Sequence, residues 1–208
     1  MSETVLVLHS GGLDSTTCLL AAQKDGHRVL SLGIDYGQVA RAELKYADQQ
    51  CASRGIERRV IKVEWVKPER LVPINRSLEE IRRETSTAFL PGRNALFLTL
   101  AMAHAAGVNA TRIVIGINCV DFSGYPDCKP QFLEAFKAMA RAADPSGPKI
   151  SAPVLHKSKQ EIARMAFALG LRLGDTWSCY RPEGDSEHPV PCGACDACKL
   201  HAHAWSYI

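Results

Sequence analysis

The sequence predicts a doubly wound α/β fold: a mainly parallel five-stranded sheet with helices on both faces, and a small cysteine-rich region at its C-terminal end. Three observations predict it. Short apolar runs at residues 5–8, 28–34, 59–63, 112–117 and 153–155 alternate with longer segments of helical spacing. Each run is too short for a helix and is bounded by turn residues, which suits strands buried on both faces of a parallel sheet. The first run passes through a Ser-Gly-Gly break into a hydroxyl-rich helical segment, and four of the eight cysteines gather at Cys179, Cys192, Cys195 and Cys198.

Composition sets the limits. With 208 residues, 46% of them hydrophobic, the chain is long enough for one sizeable core. A formal net charge of +3 gives no argument for nucleic acid, and no apolar run reaches membrane length. Residues 1–9 carry no basic region with a cleavage site, so a cytoplasmic protein without membrane or direct nucleic-acid partners is expected. In a reducing compartment disulfides are disfavoured, and metal ligation becomes the leading explanation for cysteines that cluster.

The first strand ends at His9-Ser10-Gly11-Gly12-Leu13-Asp14-Ser15-Thr16. Gly11 and Gly12 can turn their N–H groups outward, and the helix that follows adds about half a positive charge at its start, so an anion is held there without a lysine. The Walker pattern is absent. The second strand ends in Asp35-Tyr36-Gly37-Gln38, which a right-handed βαβ unit delivers beside the phosphate loop. A helix over residues 40–54 follows, in which Cys51 reads as a packed core thiol. Residues 67–89 are the least legible, broken by Pro68 and Pro73, with a possible short helix at 78–83; a lid and a solvated connector suit them equally.

Pro91-Gly92 then forces a turn, and a helix from 94 to 107 anchors it. Arg93 stands at the start of that helix, the unfavourable end of the dipole for a cation, where a bound phosphate or carboxylate would offset the cost. The fourth strand delivers a loop with Asp121, Phe122, Ser123, Tyr125, Asp127 and two thiols to the same sheet edge. Its carboxylates could accept the N–H donors of a guanine-like ring, and Phe122 or Tyr125 could stack on it. After the fifth run, Lys157 or Lys159 would emerge beside the phosphates at the start of a helix reaching about residue 169. Residues 180–191, with three prolines, read as a hairpin-like excursion between Cys179 and Cys192. Two overlapping C-x-x-C steps with a fourth cysteine suit a closed tetrahedral Zn²⁺ site, an iron–sulfur cluster being the rival.

The segment 10–15 resembles the S-G-G-x-D-S loop of PP-loop ATP pyrophosphatases, which split ATP into AMP and pyrophosphate. Taken with Asp35-Tyr36-Gly37-Gln38, Pro91-Gly92-Arg93-Asn94 and Asp121-Phe122-Ser123-Gly124-Tyr125-Pro126-Asp127-Cys128, in that order, the chain resembles the 7-cyano-7-deazaguanine synthase family over nearly its whole length. The resemblance implies an adenine nucleotide alpha hydrolase-like domain over 1–175 with a zinc-binding region over 176–208, one structural zinc, ATP with Mg²⁺, and a homodimer. It implies that 7-carboxy-7-deazaguanine and ammonia become the nitrile through an amide. ATP would be held by His9, Ser10, Gly11, Gly12, Leu13, Asp14, Ser15, Thr16, Thr17, Cys18, Leu19, Asp35, Tyr36, Arg93 and Gly116. Gln38, Asp121, Phe122, Ser123, Tyr125 and Asp127 would hold the deazaguanine. Asp14, Arg93, Asp121 and Asp127 would take the catalytic roles. Alternatives are a diverged relative that passes the activated carboxylate to another amine such as a protein N-terminus, a tRNA thiolase, and a zinc-ribbon binding module without catalysis.

Overall fold

A computed structural model describes the chain except residues 1, 65–71, 85, 121–124 and 186–187. Five parallel strands form one sheet in the order β3-β2-β1-β4-β5, from β1 (Thr4–Leu8), β2 (Arg28–Asp35), β3 (Glu57–Lys62), β4 (Arg112–Ile115) and β5 (Lys149–Ser151). The chain runs outward from β1 to β2 and β3 and then crosses back to β4. The crevice beyond the carboxyl ends of β1 and β4 is therefore the topological switch point, where such sheets bind ligands.

The strict alternation of β1 divides the core in two. Val5 and Val7 face a layer containing Leu19 of α1 (Leu13–Lys24), Cys51 of α2 (Ala42–Ala52) and Ile162 of α6 (Lys159–Ala168). Leu6 and Leu8 face Leu98 of α4 (Arg93–Gly107) and Phe136 of α5 (Pro130–Ala143). Four β1 residues, Val5 to Leu8, are at most 7% exposed, so both faces of the central strand are covered, as its unbroken apolar run requires. The short helix at 78–83 is α3 (Leu78–Arg83), closed by a capping box between Ser77 and Glu80.

One expectation needs correction. The fifth strand is Lys149–Ser151, not residues 153–155. Pro153 has no N–H for the ladder, and Leu155 N–H turns back to the carbonyl of Ala152 at 3.1 Å, so Val154 and Leu155 enter the core as a turn. Helix α5 was not anticipated, although Pro130 at its first turn and Leu133, Phe136 and Ala140 on its buried face give it a regular signature.

At the C-terminal end a two-stranded antiparallel hairpin, β6 (Glu183–Gly184) and β7 (Pro189–Val190), fills the interval between Cys179 and Cys192. Helix α7 (Asp196–Trp205) follows and packs on α6, with Ala204 and Trp205 in the same core layer as Val5.

Candidate active site

The loop after β1 is built from its own hydroxyls. Ser10 N–H donates to Ser15 Oγ at 3.2 Å, Gly12 N–H to Ser10 Oγ at 3.3 Å, and Thr16 Oγ1 donates to the Gly12 carbonyl at 2.7 Å. Gly11 holds φ +92°, and a Cβ there would lie 2.2 Å from the Glu43 carbonyl oxygen, so both backbone angle and space demand glycine. Gly116, just past β4, is as tightly placed: a Cβ would lie 2.8 Å from Ser15 N and Cα.

His9 lies beneath this loop. Its Nδ1 is 3.0 Å from Ser31 Oγ and its Nε2 is 2.9 Å from Gln50 Oε1, while Arg58 donates to the His9 carbonyl at 3.0 Å. Burial and the nearby Arg58 charge depress its basicity to about 3, so the imidazole is neutral at physiological pH. Gln50 Nε2 donates to the Asp175 carbonyl at 2.5 Å, and Trp177 N–H to the Gly11 carbonyl at 3.0 Å, tying the loop to the C-terminal region.

A cleft of about 330 Å³ opens above the loop. Ser10, Gly12, Leu13, Asp14 and Ser15 line it, with Tyr36, Arg93, Gly116 and Tyr125. Asp14 Oδ2 accepts from Lys159 Nζ at 2.5 Å; Asp14 Oδ1 is buried without a hydrogen-bond partner, an oxygen suited to a hard cation. Arg93 Nη1 donates to the Tyr36 hydroxyl at 3.3 Å. Although burial opposes its charge, the hydroxyls of Tyr36 and Tyr180 and the Asp127 carboxylate hold its basicity above the ordinary value. The Tyr125 ring stacks on Phe89, centroids 5.1 Å apart.

Several expected residues stand elsewhere. Thr17 donates back to the Leu13 carbonyl, and Cys18 and Leu19 are core, with the Cys18 thiol pushed up to about 12 by burial and the Asp14 charge. Asp35 and Gln38 lie off the cleft: Asp35 Oδ1 accepts from Gly37 N–H, and Gln38 Nε2 donates to the Ile34 carbonyl and to Glu43 Oε1. Asp127 is not a lining group either. It closes the start of α4, its Oδ2 accepting from Asn94 N–H at 3.2 Å, as a carboxylate at a helix N-terminus should. Asp121, Phe122 and Ser123 lie outside the described residues. Of the two lysines only Lys159 reaches the cleft; Lys157 offers its carbonyl to the Asn118 amide.

Residues 67–89, read as a lid or a connector, do contribute to the cleft, and the C-terminal region adds a wall that no motif announces. Arg76, Ile81 and Glu84 line one side, and Trp177, Ser178, Tyr180, Asp196 and His201 another. Arg76 makes a two-pronged pair with Asp196, and Asn75 N–H donates to the Ala194 carbonyl at 2.9 Å, so the α3 segment is fastened to the cysteine region. Glu43, in the first turn of α2, also faces the cleft, half-buried, and burial pushes its carboxyl up to about 7.

The Sγ atoms of Cys179, Cys192, Cys195 and Cys198 all lie within 4.8 Å of one another. A tetrahedral ion with Zn–S bonds of about 2.3 Å needs sulfurs about 3.8 Å apart, so the set fits a single ion with little adjustment. Backbone N–H groups of Arg181 and Cys192 point at Cys179 Sγ, and that of Cys195 at Cys192 Sγ, at 3.3–3.4 Å. Burial opposes ionisation of Cys192, yet the N–H groups of Ala194 and Cys195 outweigh it and bring that thiol to about 7. The four donors could hold a metal ion.

Fold and site together define a PP-loop-type nucleotide-binding fold with a four-cysteine cluster that could hold a metal ion. A U34-tRNA thiolase from Methanococcus maripaludis shares this fold at a TM-score of 0.52, with 14% identity over 98% of this chain and 64% of that one. The family profile described as "Queuosine biosynthesis protein QueC" matches residues 4–208, and the chain belongs to that family. It is 58% identical over 206 residues to 7-cyano-7-deazaguanine synthase 2 of Rhodopseudomonas palustris, covering 99% of this chain and 98% of the relative. It is 41% identical to the 7-cyano-7-deazaguanine synthase of Novosphingobium aromaticivorans, over 94% of this chain and 86% of the relative.

Proposed function

We propose that this protein converts 7-carboxy-7-deazaguanine and ammonia into 7-cyano-7-deazaguanine at the expense of ATP, as a cytoplasmic homodimer with one structural zinc per chain. One observation carries the reading, given the family: a single cleft joins a hydroxyl-rich phosphate loop, the cationic side chains of Arg93 and Lys159, and an aromatic wall.

A carboxylate is a poor electrophile, so its oxygen first attacks the α-phosphorus of ATP, giving the acyl-adenylate and pyrophosphate. Ammonia then displaces AMP to give the amide. A second ATP adenylates the amide oxygen, and loss of AMP and a proton leaves the nitrile. N–H and hydroxyl groups of Ser10, Gly12 and Ser15 receive the pyrophosphate, with the start of α1 supplying positive field. Lys159 shifts from Asp14 to a phosphate oxygen as the nucleotide enters, and the Asp14 oxygens, one of them already without a partner, would hold Mg²⁺, which would supply neutralising charge to the leaving pyrophosphate. Arg93, fixed by Tyr36 and kept charged beside Asp127, stabilises the phosphoryl group in flight. Tyr125 offers its ring to the deazaguanine, in company with Asp121, Phe122 and Ser123.

The test is mass spectrometry of purified protein with MgATP, ammonium and 7-carboxy-7-deazaguanine, following AMP. Nitrile with two AMP per product is expected. AMP with a product bearing a different amine would move the acceptor elsewhere, and untouched ATP would overturn the substrate.

A further inference from the structure

The chemistry just described releases protons when ammonia attacks the acyl-adenylate and again when the amide nitrogen is stripped to the nitrile, and ammonia itself is mostly ammonium at neutral pH. A group in the cleft must take those protons without competing as a cation. Asp127 is spent on the start of α4, and Asp14 is paired with Lys159. Asp196 is held by Arg76. Glu84, on the far wall, is exposed and paired with Arg76 at 3.5 Å, which leaves Glu43 among the described carboxylates that line the cleft.

We infer that the Glu43 carboxylate is the proton acceptor for the incoming ammonia and for the amide nitrogen in the second half of the reaction. Its placement carries the inference. The first turn of α2 presses its backbone against Gly11, where only glycine fits, so Glu43 stands directly beside the phosphate loop. Its side chain turns into the cleft that Tyr36, Arg93 and Tyr180 share. Oε1 accepts from Gln38 Nε2 at 3.0 Å, and Gln38 is itself anchored on the Ile34 carbonyl, which fixes the carboxylate and leaves Oε2 for a substrate proton. The charged and titratable groups facing it are Arg93 from α4, Arg58 from β3, Tyr36 at the end of β2 and Tyr180 from the C-terminal region. The two arginines favour the ionised form and the half-buried setting opposes it, so the carboxyl sits near neutrality, where a general base is most effective.

The steps balance. Ammonium loses one proton to Glu43 and becomes the nucleophile; after attack, the tetrahedral adduct gives a second proton to the same oxygen and expels AMP. Between steps the carboxylic acid returns its proton to solvent. In the second half, Glu43 takes one N–H proton as the amide oxygen is adenylated and the other as AMP leaves with formation of the C≡N bond.

This inference rests on the proposed substrate pair, and the test separates the two. Acyl-adenylate formed by Glu43→Gln is trapped in parallel with ammonium and with hydroxylamine, which is largely unprotonated at neutral pH. The variant should form hydroxamate within about threefold of the wild-type rate, while amide formation falls by about 10²–10⁴. The deficit should shrink as pH rises and free ammonia increases, and Glu43→Asp should recover part of the rate. Equal losses with both nucleophiles would make Glu43 a structural residue, and an unimpaired amide rate would remove it from catalysis; either result overturns the inference. If the wild-type protein forms neither product, it is the substrate assignment that fails.

Discussion

Gly116→Ala tests the seam on which the site depends. The end of β4 passes so close to the start of α1 that the new methyl carbon would lie 2.8 Å from Ser15 N and Cα and 3.0 Å from the Asp14 carbonyl carbon. All three are backbone atoms, so no rotamer change relieves the clash, and β4 and the phosphate loop must separate by roughly half an ångström in a close-packed core. Overpacking of this kind costs about 1–3 kcal/mol. The strain has two outlets. If the loop stays in place, unfolding in urea reports the full loss. If it moves outward, stability is spared but the cradle must be restored when pyrophosphate or ATP binds, which weakens binding by about 5- to 150-fold. The two losses together should account for the same 1–3 kcal/mol, measured by urea titration and by ATP binding on one preparation. Gly107→Ala is the control: nothing lies within 4 Å of its added carbon and its φ is ordinary, so ATP binding should not change. A Gly116→Ala protein matching wild type in both measurements would refute the close approach.

Glu43 should destabilise the fold at high pH. Its folded carboxyl is raised from 4.5 to about 7, so the cost is absent below pH 4.5, grows through that window and is complete above pH 7. Glu43→Gln should therefore gain stability above pH 7, at most about 3 kcal/mol and less because the cleft wets one side of the carboxylate; urea midpoints between pH 4 and 8 check it. His9 works in the opposite direction. Its folded basicity is depressed from 6.5 to about 3, so stability falls as pH drops below 6.5, on the order of a few kcal/mol by pH 3, and His9→Gln should flatten that limb in acid titrations followed by circular dichroism. Treatment with a zinc chelator under reducing conditions should lower the melting temperature and the affinity for ATP together, both restored by Zn²⁺; one zinc per chain is expected by elemental analysis, and iron with sulfide would refute the tetrad's assignment.

Legibility followed the range of the interactions. The phosphate loop was readable because its chemistry is local: an apolar strand, two glycines and a run of hydroxyls within one turn of chain. The cysteine tetrad was readable because ligand spacing is a property of the backbone between ligands. Strand β5 was misread because only Ile150 of its three residues is core, whereas the stronger apolar pair Val154 and Leu155 follows a proline and folds as a turn. Gln38 and Asp127 carry the right chemistry for a purine but spend it on backbone groups and on Glu43, a choice set by partners that no spacing reveals. Glu43 itself looks like an ordinary helix-start residue until α2 is seated against Gly11.

The cysteine region acts on the cleft through short covalent steps. Cys179 lies two residues from Trp177, whose N–H holds the Gly11 carbonyl and whose indole donates to the Cys179 carbonyl at 2.9 Å. Tyr180, on its other side, and Asp196, next to Cys195, both line the cleft. A metal ion bound by the four sulfurs would thus fix, within one or two residues of its ligands, the backbone that pins the phosphate loop, the Tyr180 ring facing Arg93 and the carboxylate that holds Arg76. The ion need never touch substrate to decide whether the cleft is assembled. Its loss should accordingly appear first as weakened nucleotide binding, before the parallel sheet, whose core layers are built largely without the cysteines, gives way.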